Sequence, residues 1–181
     1  NVTGITISPA QVKRAKELTP FGLNCNFQVM DALDLKFEDG SFDAVWSVEA
    51  GAHMNDKVKF ADEMLRTLRP GGYLALADWN SRDLSAYPPS FFEKWVLKQL
   101  LEQWVHPNFI SINEFGNILR TNKNSAGRVI SANWNSYTNP SWYDSIFEGI
   151  RRPLAIVSLG PLAIVKSIRE IPTILLMNWA F

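Results

Sequence analysis

The run Asn1 to Ile7, NVTGITI, is β-branched and apolar from the start and passes without a loop into Ser8-Pro9-Ala10-Gln11. Ser8 suits a helix cap, Pro9 suits the first helical position and Gln11 completes a capping box, so the sequence predicts a strand followed at once by a helix through about Leu18. Phe27 to Met30 is a second apolar run, ending at Asp31, and Phe42 to Val48 is a third, ending at Glu49. Asp56 to Leu68 then carries Val58, Ala61, Met64, Leu65 and Leu68 at helical spacing, Pro70-Gly71-Gly72 stops it, and Tyr73 to Ala77 resumes a strand. Strands alternating with helices in this way predict an α/β fold with a parallel sheet.

From Pro88 the texture changes. Phe91 to Trp104 is an amphipathic helix, Ile112 to Arg120 reads as another, and Thr121 to Gly127 as a polar loop. Arg128 to Trp134 reads as one more strand and Pro140 to Ile150 as one more helix. The pentapeptide PLAIV occurs at 153–157 and again at 161–165, but two short copies do not make a solenoid. Leu154 to Val165 and Ile171 to Phe181 are nearly uncharged, yet each is shorter than the roughly 20 residues of a spanning helix. Lys166, Arg169 and Glu170 lie between them. Two readings stay open for this tail: a helix buried in the domain, or an interfacial helix lying on a bilayer.

Composition narrows the ligand. Eighteen basic residues balance eighteen acidic ones, so no field concentrates a polyanion and no nucleic-acid partner is expected. Cys25 is the sole cysteine and there are two histidines, which leaves no internal disulfide and no cysteine- or histidine-rich metal site, and fits a reducing compartment. Hydrophobic residues are 46% of the 181, enough for one ordinary domain. No signal peptide is visible, and a first residue of Asn rather than Met gives the chain the look of a fragment.

In an open parallel sheet, ligands bind beyond the carboxyl ends of the strands. Each of the first four strands ends in polar residues: Thr6 with Ser8, Asp31, Ser47 with Glu49, and Asp78 with Asn80. Four such ends in one pattern point to a site, although any one alone is an ordinary polar loop. The ten glycines give neither G-x-G-x-x-G nor a P-loop, so either the fold is not of the nucleotide-binding type or its glycine-rich strand lies upstream of Asn1.

The stretches G-I-T-I-S-P-A-Q at 4–11, D-A-L-D-L-K-F at 31–37, D-G-S-F-D-A-V-W-S-V-E-A-G-A-H-M at 39–54 and L-R-P-G-G-Y-L at 68–74 resemble successive motifs of the class I S-adenosylmethionine-dependent methyltransferases. Thr6, where many of these enzymes have an acid, is similar to the branch that methylates carbon in lipids. A-D-W-N-S-R-D at 77–83, Q-L-L-E-Q-W-V-H-P at 99–107 and K-S-I-R-E-I-P-T-I-L-L-M at 166–177 resemble the prenylquinol methyltransferases of tocopherol and plastoquinone synthesis. The resemblance implies a Rossmann-like, mostly parallel sheet with a helical substrate-binding region. Residues 1–84 would be a partial cofactor-binding core and 85–181 the substrate side with a late strand. A first strand with the glycine-rich loop would precede Asn1 and a last strand follow Phe181, leaving the chain without a central strand of its sheet. Asn55 departs from the family's usual proline and is expected to serve as a helix cap.

The implied cofactor is S-adenosyl-L-methionine, with no metal. Thr6, Ile7 and Gln11 would lie near its ribose, where a hydroxyl and an amide add no charge to a cationic ligand. Gln11 has two readings, cap and ligand. Asp31, Ala32 and Leu33 would edge the adenine, with a plain turn acid as the other reading of Asp31. Ser47 and Val48 would edge the methionine part. Aromatic C-methylation needs a phenol to lose its proton; phenol titrates at about 10 and histidine at about 6.5, so His53 or a desolvated Glu49 would serve as general base. Gly51 would let the backbone turn tightly between them. The rival reading is that Glu49 holds the loop and His53 caps a helix. Trp79, Phe91, Trp95 and Trp142 are candidates for a prenyl slot, with the core as their competing use.

The expected activity is methyl transfer to a prenylated benzoquinol by a protein that is cytoplasmic or peripheral on a thylakoid or plasma membrane surface. Rival readings are a sterol or other small-molecule methyltransferase, a nicotinamide-dependent oxidoreductase, and a non-catalytic remnant.

Overall fold

The computed structural model describes residues 1–134 and 136–138. Two strand–helix–strand units open the chain. In the first, β1 (Val2–Thr6) leads through α1 (Pro9–Leu18) to β2 (Cys25–Val29), and β1 pairs with β2 in parallel, Val2 against Cys25 through Thr6 against Val29. In the second, β3 (Phe42–Val48) leads through a 3₁₀ turn at Gly51–His53 and α2 (Lys57–Thr67) to β4 (Leu68–Ala77), again in parallel. No pairing joins the two sheets among the described residues.

Local chemistry accounts for the helix starts. The Gln11 N–H donates to Ser8 Oγ at 3.4 Å with Pro9 in the first turn, as the sequence predicts. At α2 the cap is Asp56, whose Oδ1 accepts from the Lys59 N–H at 2.8 Å, and not Asn55. A carboxylate one residue later reaches the same free N–H groups and also complements the positive helix end, so it displaces the amide. Val12 is the residue α1 buries; α2 buries Phe60, Ala61, Met64 and Thr67 at helical spacing.

Pro70-Gly71-Gly72 does not end α2 as expected; it lies inside β4. The register jumps from Phe42↔Leu68 to Ala44↔Tyr73, so extra residues of β4 loop out against β3. Gly71 has φ +77°, and a Cβ on Gly72 would sit 2.7 Å from the Asp43 carbonyl and 3.0 Å from that of Arg69. Only glycines fit there, and a proline without an N–H is tolerated at such an irregularity.

The described residues divide into two compact units, one of residues 1–78 with 118–128, the other built on residues 79–117. In the second, α3 (Phe91–Trp104) starts at a reciprocal cap: the Ser90 N–H donates to Glu93 Oε2 at 2.6 Å and the Glu93 N–H to Ser90 Oγ at 3.3 Å. Val96 and Leu100, one turn apart, are buried, as are Phe109 and Ser111. The last helix, α4 (Ile112–Thr121), opens with the same device between Ser111 and Glu114. Residues 128–134, read as a strand, form none; among the described residues no strand offers them a hydrogen-bond ladder. The expected helix at 140–150, both PLAIV copies and the apolar tail lie outside the described residues. No helix among the described residues is long and apolar enough to cross a membrane.

Candidate active site

Parallel pairing places the carboxyl ends of β1 and β2 side by side, and those of β3 and β4 likewise. The predicted residues gather at these ends in two clusters.

At the first, Thr6 Oγ1–H donates to Gln11 Oε1 at 2.5 Å, and Thr6 Oγ1 accepts from the Ser8 N–H at 3.2 Å. Thr6 therefore fixes the amide of Gln11 with its carbonyl turned inward, which leaves the two N–H donors of that amide for a ligand's hydroxyls. Gln11 is exposed, and its backbone N–H is the one Ser8 caps; the side chain makes no reciprocal cap bond. Ile7 is 75% exposed at the same edge. Beside Thr6, the Met30 N–H donates to the Thr6 carbonyl at 3.0 Å, which carries β2's direction on to Asp31. Asp31 Oδ1 accepts from the Leu33 N–H at 2.8 Å, the turn geometry of an Asx motif, with Ala32 half-buried between them. Asp31 itself is exposed.

The second cluster follows β3. Ser47 is half-buried and Val48 exposed; Glu49 then takes φ +54°, a left-handed backbone that is uncommon for a residue with a side chain. Its N–H donates to the Ala77 carbonyl at 2.7 Å. The side chains of Glu49 and His53 are both exposed, so these residues do not desolvate Glu49 as the sequence suggested. His53 ends the 3₁₀ turn, and the cap of α2 belongs to Asp56. Between them Gly51 and Ala52 are buried. A Cβ at Gly51 would collide with Asp78 Oδ2 and meet the Phe60 ring at 3.1 Å, so the tight turn expected of Gly51 is a close approach as well.

Lys57 was not legible as a site residue. Its Nζ donates to the carbonyls of Gly51, Ala52 and Met54 at 2.5, 3.1 and 2.8 Å. Burial pulls its pKa below the ordinary lysine value, and the charge of Asp78 opposes that shift. The signal that was available is position: a lysine in the first turn of a helix sits at the positive end of the dipole, where a cation is disfavoured.

In the second unit, Trp79 stacks on His106 with ring centroids 6.0 Å apart, and His106 contacts Phe109 at 5.2 Å. Phe91 is 88% exposed, and Trp95, also exposed, stacks on Phe92. Trp142 lies outside the described residues. Among the described residues no three potential metal ligands cluster.

Residues 1–76 match a family model described as a methyltransferase domain. The chain is 54% identical over its whole length to 2-methyl-6-phytyl-1,4-hydroquinone methyltransferase of Synechocystis, and covers 57% of that protein. It is 38% identical over 144 residues, 77% of its length, to the chloroplastic tocopherol O-methyltransferase of Arabidopsis thaliana, of which it covers 41%. The chain thus spans about half the length of these relatives. A solved structure of geranyl diphosphate methyltransferase in complex with SAM superposes with a TM-score of 0.52 at 30% identity, over 68% of this chain and 48% of that one.

Proposed function

We propose that this chain, which over residues 1–76 belongs to the methyltransferase domain family and shares its class I fold, is part of an enzyme that uses S-adenosylmethionine to methylate a ring carbon of a prenylated hydroquinone. The observation that carries the reading is the Thr6–Gln11 hydrogen bond at the end of β1. It presents neutral donors where a ribose would sit, which suits a ligand whose reactive group is already cationic. S-adenosylmethionine, when bound, supplies a methyl group activated on sulfonium. Ile7, Gln11, Asp31, Ala32, Leu33, Ser47 and Val48 are the residues that would hold it.

The chain's own part in the chemistry is to orient the ring and take a proton. Methylation at carbon follows loss of a phenolic proton, and in this reading Glu49, just after β3, or His53, at the end of the following turn, accepts it. Both carry lone pairs at a turn held from behind by Lys57 and Asp78. In this reading residues 1–84 are the cofactor-side core and 85–181 the substrate side; Trp79 beside that boundary, with Phe91 and Trp95, would offer apolar surface to a prenyl tail, and Trp142 is a further candidate. The 54% identity to a phytyl-hydroquinone methyltransferase supports this substrate class over sterols. A lipophilic substrate also supports work at a membrane surface.

The test is incubation of the full-length natural protein with methyl-labelled S-adenosylmethionine and a panel of reduced prenylquinols. Label should enter the organic phase only with quinols that have a free ring carbon beside a hydroxyl. Binding of S-adenosylhomocysteine without labelling of any quinol would refute the substrate assignment.

A further inference from the structure

We infer that Lys57 is a positioning residue for the proposed reaction: by holding the carbonyls of Gly51, Ala52 and Met54, it sets where the Glu49–His53 turn presents its acid–base groups. The inference rests on the reading of that turn as catalytic.

An ammonium has three donors and no acceptor, and all three carbonyls lie within hydrogen-bond reach of Nζ. Two of them belong to the turn Gly51–His53, only three residues long with Gly51 and Ala52 buried, and the third to Met54, which caps it, so the segment has few intrinsic bonds to define it. Its own backbone supplies the bond from the His53 N–H to the Ala50 carbonyl and that from the Met54 N–H to Gly51. Lys57 adds a bond from outside to two carbonyls of the turn and to that of its capping residue Met54. Further constraint comes from the end of β4 and from α2: Asp78, just after β4, and the Phe60 ring abut Gly51, and the Ala77 carbonyl fixes Glu49.

The placement runs against local preference. Lys57 is the first residue of α2, half-buried, at the end of the helix where a positive charge is repelled. A residue that only solubilised the surface would point outward and keep its full hydration. Here the side chain folds back across the turn instead and bonds three carbonyls. Glu49, three residues before Ala52, is held in a left-handed backbone that nothing in its own side chain favours. The clamp and the strained residue belong to one short segment, so loosening the first moves the second.

The experiment uses the full-length natural protein with Lys57→Met, Lys57→Arg, Glu49→Gln, His53→Ala and the Glu49→Gln/Lys57→Met double variant. Lys57→Met is expected to lower kcat by about 10- to 100-fold, the scale of a misplaced catalytic group, with KM for S-adenosylmethionine within about twofold. Lys57→Arg, which can still donate to carbonyls, should recover most of the loss. In the Glu49→Gln background, Lys57→Met should cost little more, since it would act through a group already removed. Equal loss in both backgrounds, or an unchanged kcat with only a lower unfolding temperature, overturns the positioning role. If Lys57→Met does not fold, Lys57→Gln, which keeps two donors, is read by the same criteria. Full turnover by both Glu49→Gln and His53→Ala would overturn the catalytic reading beneath it; slow Glu49→Gln with normal Lys57→Met would overturn this inference alone.

Discussion

The N–H of Glu49 donates to the carbonyl of Ala77 at 2.7 Å, and Glu49 adopts φ +54°. The end of β3 is thereby tied to the end of β4, one residue before the Asp78 that packs on Gly51. A side chain in this backbone region is retained at a cost, which makes position 49 a place where stability and function separate.

Replacing Glu49 with glycine should therefore stabilise the protein, by about 1 kcal/mol, while turnover collapses. Glu49→Gln, which keeps the strain, should change stability by less than about 0.5 kcal/mol. Chemical denaturation of the three proteins checks this; a glycine variant no more stable than the parent would show that the backbone is not strained there.

Gly51→Ala should destabilise by about 1–3 kcal/mol, the range for overpacking a filled site. The added methyl meets Asp78 Oδ2 and the Phe60 ring, so one or both must shift to make room. An unaltered denaturation midpoint would mean that the turn has room to move.

At the first cluster, Gln11→Ala and Thr6→Val should each weaken cofactor binding by about 2- to 13-fold, the equivalent of one neutral hydrogen bond of about 0.5–1.5 kcal/mol. Thr6→Val acts by releasing the Gln11 amide from the orientation that Oγ1 imposes. Calorimetric titration with S-adenosylhomocysteine is the measurement, and affinities within twofold of the parent for both variants would remove this pair from the cofactor site.

Acid stability should depend on Glu63. The Arg66 guanidinium, bonded to both carboxyl oxygens at 3.0 and 2.8 Å, and secondarily the Leu35 N–H, hold the Glu63 carboxyl below its ordinary 4.5, with burial working the other way. A depressed folded-state pKa contributes stability that is complete above about pH 4.5 and is lost as pH falls through the lower folded value. Arg66 also donates to the carbonyls of Phe37 and Leu35, so it pins the loop before β3. Arg66→Met should both destabilise the protein and flatten its stability profile below pH 4.5; parallel profiles for the two proteins would rule out this linkage.

The helix starts were legible because capping is local. Ser8 and Pro9 declare α1 within four residues, and the periodic apolar positions of 56–68 and 91–104 declare α2 and α3. Misreadings arose where a distant segment decides. Pro70-Gly71-Gly72 carries the composition of a stop signal, yet the neighbouring β3 takes it into a strand through a bulge that no window of sequence reveals. Residues 128–134 have the composition of a strand and find, among the described residues, no neighbour that would make them one.

For the candidate site, the sequence by itself determined the residue types at the strand ends: Thr6 with Gln11, Asp31, Glu49 and His53, each placed by β–α alternation and short-range caps. Only the tertiary structure decided how they are held. The Glu49 backbone is set by Ala77, 28 positions away in the chain, and Gly51 is set by Asp78, 27 away. Lys57 reads as a surface charge until the turn at 51–54 folds back over it. A dihedral or a cap depends on the next few residues, whereas a clamp across two strand ends exists only once β3 and β4 have paired and closed the loop between them.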